Sequence, residues 1–171
     1  MDQKKTKSVE QGPLKKLRLT EPDLRVVVGS DKKKEYRYHS VVLATQSAYI
    51  DTMLSSPMKE REENVIRFPD LDSKRWESMM KFLDPLESRT MTLADVKLVA
   101  ALYDKYDFDK GRQICDIILL DAFVGASTSD ASSGDFEYLF DLYLLACGAN
   151  LSATIKAGNT FFAKALLSPG Q

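Results

Sequence analysis

Three side chains in this chain are of the types that most often act as nucleophile, base or soft-metal ligand near neutral pH: His39, Cys115 and Cys147, the only histidine and the only two cysteines. A thiol becomes a useful nucleophile when a neighbouring base takes its proton, and imidazole is the usual partner. Nothing in the sequence pairs His39 with either cysteine. Both cysteines fall inside apolar stretches of helical period, where cysteine behaves as a small buried hydrophobe. A structural zinc site takes four ligands, mostly Cys and His, so carboxylates would have to complete one here, and no Cys-x-x-Cys pair is present. There is no glycine-rich phosphate loop and no histidine beside a nucleophile pattern. The acidic run from Glu60 to Glu63 reads as a solvated face. The expectation is therefore no catalytic residue, no cofactor, no metal and no small-molecule substrate.

If chemistry is absent, the remaining question is what the chain positions. Its 171 residues allow one ordinary domain with a core and a small appendage. A 44% hydrophobic and 29% charged composition argues against a disordered or membrane-embedded chain. No apolar run is long enough to span a bilayer, and the lysine-rich start lacks the apolar core of a signal peptide. A cytoplasmic or nuclear location is expected. Residues 1–20 hold six basic residues against two acidic ones, a local charge of +4, which leaves −5 for the rest given the net −1. Such a body is ill suited to gripping phosphate backbones, so no nucleic-acid partner is expected, and residues 1–20 read as a disordered basic tail.

The stretch from His39 to Ser56, HSVVLATQSAYIDTMLSS, reads as two short helices meeting at a corner, with Ser47 placed to cap the second. Val41, Val42 and Leu43 are adjacent, so the first helix is apolar on more than one face and is expected to be buried on two sides. Before the corner, Leu24 to Val28 and Glu35 to Tyr38 read as a β-hairpin around Gly29-Ser30-Asp31. After it, Pro57 to Asn64 is charged, has no apolar stripe and reads as a loop or frayed turn. Val65 to Phe68 is a third strand. Asp72 or Ser73 can cap a helix carrying Trp76, Met79, Met80 and Leu83. Thr92 precedes the most regular apolar face of the chain, Leu93, Val96, Val99, Ala100, Tyr103 and Tyr106, with Asp95 favouring its N-terminal end. A further helix carries Ile114, Cys115, Ile117, Ile118 and Phe123. Residues 125–135, GASTSDASSGD, read as a flexible linker, and 136–167 as a C-terminal helical pair.

A hairpin, a helical corner, a third strand and more helices make an α+β order, with helices gathered against a small three-stranded sheet. The segments DLRVVVG, YRYHSVVLATQSAYIDTML, NVIRFPDLD, WESMMKFL, LVAALYDKYDF and ICDIIL, in that order and spacing, resemble the BTB/POZ domain. That domain would occupy residues 21–124. One departure is Asp84-Pro85-Leu86, where the family usually shows a tyrosine-threonine-glycine turn.

The resemblance implies an interaction module without catalysis. Members commonly homodimerise through the first helices and the N-terminal segment, many recruit cullin scaffolds as substrate adaptors of ubiquitin ligases, and others serve transcription factors. Carried onto this chain, Val42, Ala48 and Tyr49 would belong to a dimer interface. Met58 and Glu60 stand where cullin-binding members carry a hydrophobic-x-Glu motif. One buried methionine supplies roughly 1.5 to 3 kcal/mol against about 12 kcal/mol for a nanomolar complex, so Met58 could help such a surface without making it alone. Asp23 occupies the acidic position of the pocket that repressor-type members use for corepressors, but Ser40 stands where their basic residue would be, which leaves that charged pocket incomplete. Residues 136–167 sit where adaptor members carry a short helical box ahead of a BACK domain; a plainer reading is that they cover the last helix of the domain.

Overall fold

The computed structural model describes residues 21–30, 32–83, 91–128 and 133–167. Strand β1, Leu24–Val28, buries Leu24, Val26 and Val28 and turns Arg25 outward, the period of two expected of a strand with one packed face. It pairs antiparallel with β2, Lys34–Tyr38, and parallel with β3, Val65–Phe68, giving the order β2-β1-β3. A parallel neighbour cannot be reached through a tight turn. The crossover is made by α1, Ser40–Gln46, α2, Ala48–Ser55, and α3, Lys59–Glu63. Five more helices follow among the described residues: α4, Ser73–Leu83; α5, Leu93–Lys105; α6, Asp109–Thr128; α7, Ser133–Gly148; and α8, Ser152–Leu167. The α+β architecture with a small sheet under a cluster of helices is the one expected.

Trp76 on α4 lies at the meeting of sheet and helices. It is fully buried, stacks on Phe68 with ring centroids 5.1 Å apart, and donates from its indole nitrogen to the Tyr38 hydroxyl at 3.1 Å. Burying an indole requires such a partner for its N–H. Tyr103 on α5 does the same from the other side, its hydroxyl donating to the Met79 carbonyl at 2.7 Å. Helix α5 opens with a capping box in which the Thr92 hydroxyl accepts from Asp95 N and the Asp95 carboxylate accepts from Thr92 N. Gly111 lies inside the first turns of α6, where a Cβ would come within 2.4 Å of the Tyr103 ring. The glycine in this region thus lets α6 approach α5 and does not break the helix.

The corner turns on Ser47. Its backbone N–H closes α1 by donating to Leu43 O at 3.0 Å, its hydroxyl oxygen caps α2 by accepting from Ile50 N at 3.1 Å, and the same hydroxyl donates to Tyr106 O at 2.7 Å. Leu43 and Ile50 are the buried residues of the two helices. Val41 and Val42 are not buried: they are 66% and 42% exposed, so the expectation of burial on two sides is corrected within the single chain. A seven-residue helix lying on the domain has one inner face, and Leu43 fills it. The charged stretch after the corner is also more ordered than expected. Lys59–Glu63 forms one helical turn closed by Asn64 in the left-handed region, and Arg61 reaches back to the Ser55 carbonyl at 3.2 Å.

The C-terminal pair packs on α6 and shares one apolar core with the rest, contributing Leu139, Leu142, Ala146, Ala149 and Leu151. The Asp116 carboxylate of α6 accepts from Ala153 N at 2.9 Å, Thr154 N at 3.0 Å and Thr154 Oγ1 at 2.7 Å, and so caps α8 from a neighbouring helix. Leu151, which precedes the helix, has no side-chain oxygen to offer. Gly158 lets α8 approach α7, since a Cβ there would come within 2.3 Å of the Tyr143 ring. The expected linker is helical at both ends: Gly125 to Thr128 belong to α6, because Phe123 is buried and Ala126 packs on the core while Ser127 and Thr128 satisfy backbone carbonyls, and residues 133–135 form the start of α7. The basic tail of residues 1–20, the Asp84-Pro85-Leu86 turn and linker residues 129–132 lie outside the described residues.

Replacing Ser47 by alanine removes a helix cap and leaves the Tyr106 carbonyl without its buried donor, so Ser47→Ala is expected to lower unfolding stability by about 1 to 3 kcal/mol. Chemical denaturation of the two chains checks it.

Candidate protein-interaction surface

Helix α1 begins without help from its own N-cap, because the His39 side chain makes no capping hydrogen bond. The cap comes from the entry to β1. Asp23 Oδ1 accepts from Ser40 N at 2.7 Å and Asp23 Oδ2 accepts from Ser40 Oγ at 2.6 Å. The two residues singled out in the sequence as a pocket lacking its cation are thus in direct contact, with a neutral hydroxyl facing the carboxylate. These bonds favour the charged carboxylate: the Ser40 hydroxyl first, then its backbone N–H, hold the Asp23 pKa below its ordinary 3.8.

With its ends fixed by Asp23 and Ser47, α1 turns Val41 and Val42 to solvent. On α2 the exposed apolar side chain is Tyr49, whose ring rests edge-on against Tyr106 at 5.7 Å. Ala48 is exposed too, but it borders a shallow depression with Asp51, Asp107 and Lys110, so its surroundings are polar. The expected interface residues Val42, Ala48 and Tyr49 are therefore all at the surface of one corner. Val41 is the more exposed of the two valines and was not singled out from the sequence; its adjacency to Val42 and Leu43 was visible, but which of the three faces inward is decided by packing.

Met58 is the N-cap residue of α3. Its carbonyl accepts from Arg61 N at 3.2 Å and Glu62 N at 3.3 Å, which fixes its backbone, while 47% of the residue remains exposed. Glu60 is half-buried on the following turn. The pair is held on an ordered corner that follows α2 directly.

The chemistry-bearing residues are scattered by comparison. His39 precedes α1 and Cys115 lies on α6, while Cys147, expected to be buried like Cys115, is exposed on α7, on the side turned away from the buried Leu139, Leu142 and Ala146. Cys115 is fully buried beside Met91, and burial, then the charge of Asp116, pushes its thiol up to about 12, so it stays protonated near neutral pH. Among the described residues no group of three or more His, Cys, Asp or Glu could hold a metal ion, and no helix is long and apolar enough to cross a membrane.

The family model for the BTB/POZ domain matches residues 14–122. The chain belongs to the BTB/POZ family. The BTB/POZ domain is a protein–protein interaction module, so a surface made of exposed apolar side chains on a rigid frame is the kind of site to expect. Helices α7 and α8 lie beyond the match.

A depressed carboxylate pKa adds stability that is complete above the unfolded value and is lost as pH falls through the folded one. For Asp23 that window opens near 3.8 and extends downward. The melting temperature of Asp23→Asn is expected to lie below that of the wild type near neutral pH, and the gap is expected to narrow as pH falls to about 3. Thermal unfolding followed across that range checks it; a gap independent of pH would remove the charge from the account.

Proposed function

We propose that this protein homodimerises through the α1–α2 corner and acts as a substrate adaptor for a cullin-RING ubiquitin ligase, with Met58 and Glu60 in the cullin contact. One observation carries the reading. Within residues 41–58 the side chains that hold the fold, Leu43, Ser47 and Ile50, are buried, while Val41, Val42, Tyr49 and Met58 are exposed on the same stretch. An apolar side chain kept in water on a fixed backbone gains free energy whenever a partner covers it. Val41 and Val42 supply that gain to a second copy. Met58, held at the start of α3, supplies it to a different partner, with the Glu60 carboxylate one residue beyond Lys59 available for a polar contact.

The experiment is affinity measurement between the full chain and a cullin scaffold. The double variant Met58→Ala with Glu60→Ala is expected to bind roughly tenfold more weakly, the loss of one partly buried methionine side chain and one hydrogen bond. Binding that is undiminished in the variant contradicts the assigned contact. A wild-type chain that self-associates and never binds a cullin replaces the adaptor with an oligomerising scaffold.

A further inference from the structure

The sheet has two faces, and the pairing registers settle which residues share each. Leu24, Val26 and Val28 enter the core together with Ile66 and Phe68. The alternate residues of the strands make the outward face. On it Arg25 of β1 lies opposite Arg37 of β2 and beside Val65 of β3, while Val27 lies between Glu35 and Arg67. The four charged residues are exposed. Their charges are poorly matched among themselves, because like charges directly opposite each other across an antiparallel pair destabilise it, and Arg25 and Arg37 are so placed. Arg25 reaches Glu35 at 3.7 Å through Nη1, and Arg67 reaches Glu63 at 2.7 Å through Nη2, with every one of these side chains at least 45% exposed. Arg37 makes no ion pair among the described residues. Arg67 first, and Lys59 and Arg25 more weakly, hold the Glu63 carboxylate below its ordinary 4.5, so the positive field reaches across the strands. Three arginines against Glu35 and Glu63 leave this face net positive, on a body that carries −5.

We infer that the outward face of the sheet binds an extended acidic segment of a partner protein, with Arg25, Arg37 and Arg67 each taking a carboxylate. A guanidinium group is a planar fork of five N–H donors, so Arg25 and Arg67 can accept a second carboxylate while keeping the first. A carboxylate between Arg25 and Arg37 also relieves their repulsion. The spacing selects a chain. Neighbouring strands are about 4.8 Å apart and residues i and i+2 of one strand about 6.7 Å apart. Arg37 and Arg25 therefore project from points about 5 Å apart, and Arg25 and Arg67 from points about 8 Å apart. Carboxylates at alternate positions of an extended segment recur every 6.7 Å or so, between those two intervals. From Arg37 to Arg67 the span is about 12 Å, too wide for one phosphate group to bridge. Glu35 and Glu63, set among the arginines, oppose the unbroken charge of a nucleic-acid backbone. The contact uses none of the residues assigned to the dimer or to the cullin.

The test is a nuclear magnetic resonance titration of the isotope-labelled full chain with a short peptide alternating glutamate and threonine. No cullin is present, so the result reads out separately from the adaptor proposal. Saturable shifts are expected for the backbone amides of β1, β2 and β3, weakening as salt is raised, and none is expected from the same peptide with glutamine for glutamate. The double variant Arg25→Gln with Arg37→Gln is expected to bind roughly tenfold more weakly, the loss of two exposed charged contacts. Arg37→Gln alone is expected to melt no lower than the wild type, since it removes a like-charged neighbour. Shifts confined to residues 1–20, where the other basic cluster lies, would overturn the inference. So would undiminished binding in the double variant, or a lower melting temperature for Arg37→Gln. Inorganic phosphate or a single-stranded oligonucleotide that shifts the strand amides at lower concentration than the peptide would replace the acidic segment as the ligand and overturn it too.

Discussion

The buried hydroxyl of Ser47 is the constraint on which the interaction surface depends. It accepts from Ile50 N to begin α2 and donates to the Tyr106 carbonyl at the end of α5, so one side chain joins the corner to the helix whose buried face holds Val96, Val99, Ala100 and Tyr103. A buried carbonyl without a donor would cost about 1 to 3 kcal/mol, which makes other settings of the corner unfavourable. Fixing the corner fixes which residues of α1 face inward. Leu43 takes the inner position, and Val41 and Val42 are left outside. The apolar character of the exposed face is thus a consequence of how its neighbour is anchored.

The same device appears twice more with carboxylates. Helices α1 and α8 are preceded by His39, whose side chain makes no cap, and by Leu151, which has no oxygen. In each case an aspartate from another element satisfies the first backbone N–H groups: Asp23 for α1 and Asp116 for α8. A cap supplied within a helix stabilises that helix alone. A cap supplied from elsewhere also fixes where the helix sits, so α8 is tied to α6 and the C-terminal pair continues the domain core. The α1–α2 corner and the C-terminal pair therefore belong to one connected framework.

Much of this was legible in the sequence where the signal is local. The hairpin, the third strand, the Ser47 cap and the regular face of α5 each follow from alternation, periodicity or a polar residue at a fixed offset. The fold followed from the order of those elements. What could not be read rests on distant partners. The Asp23–Ser40 and Asp116–Thr154 contacts link residues far apart in sequence and leave no spacing to recognise. The composition of Gly125 to Thr128 suggested a linker, but packing of Phe123 and Ala126 carries α6 through it. Adjacent Val41, Val42 and Leu43 look the same in sequence whether the helix is enclosed by its own domain or left open on one side.

The central claim is that the outward face of α1 is a contact between copies of the chain. Light-scattering mass at low micromolar concentration tests it most directly. The account predicts about twice the 19.2 kDa of one chain for the wild type and the mass of one chain for Val42→Asp. A wild type that has the mass of one chain, or a Val42→Asp variant that keeps the doubled mass, would contradict it.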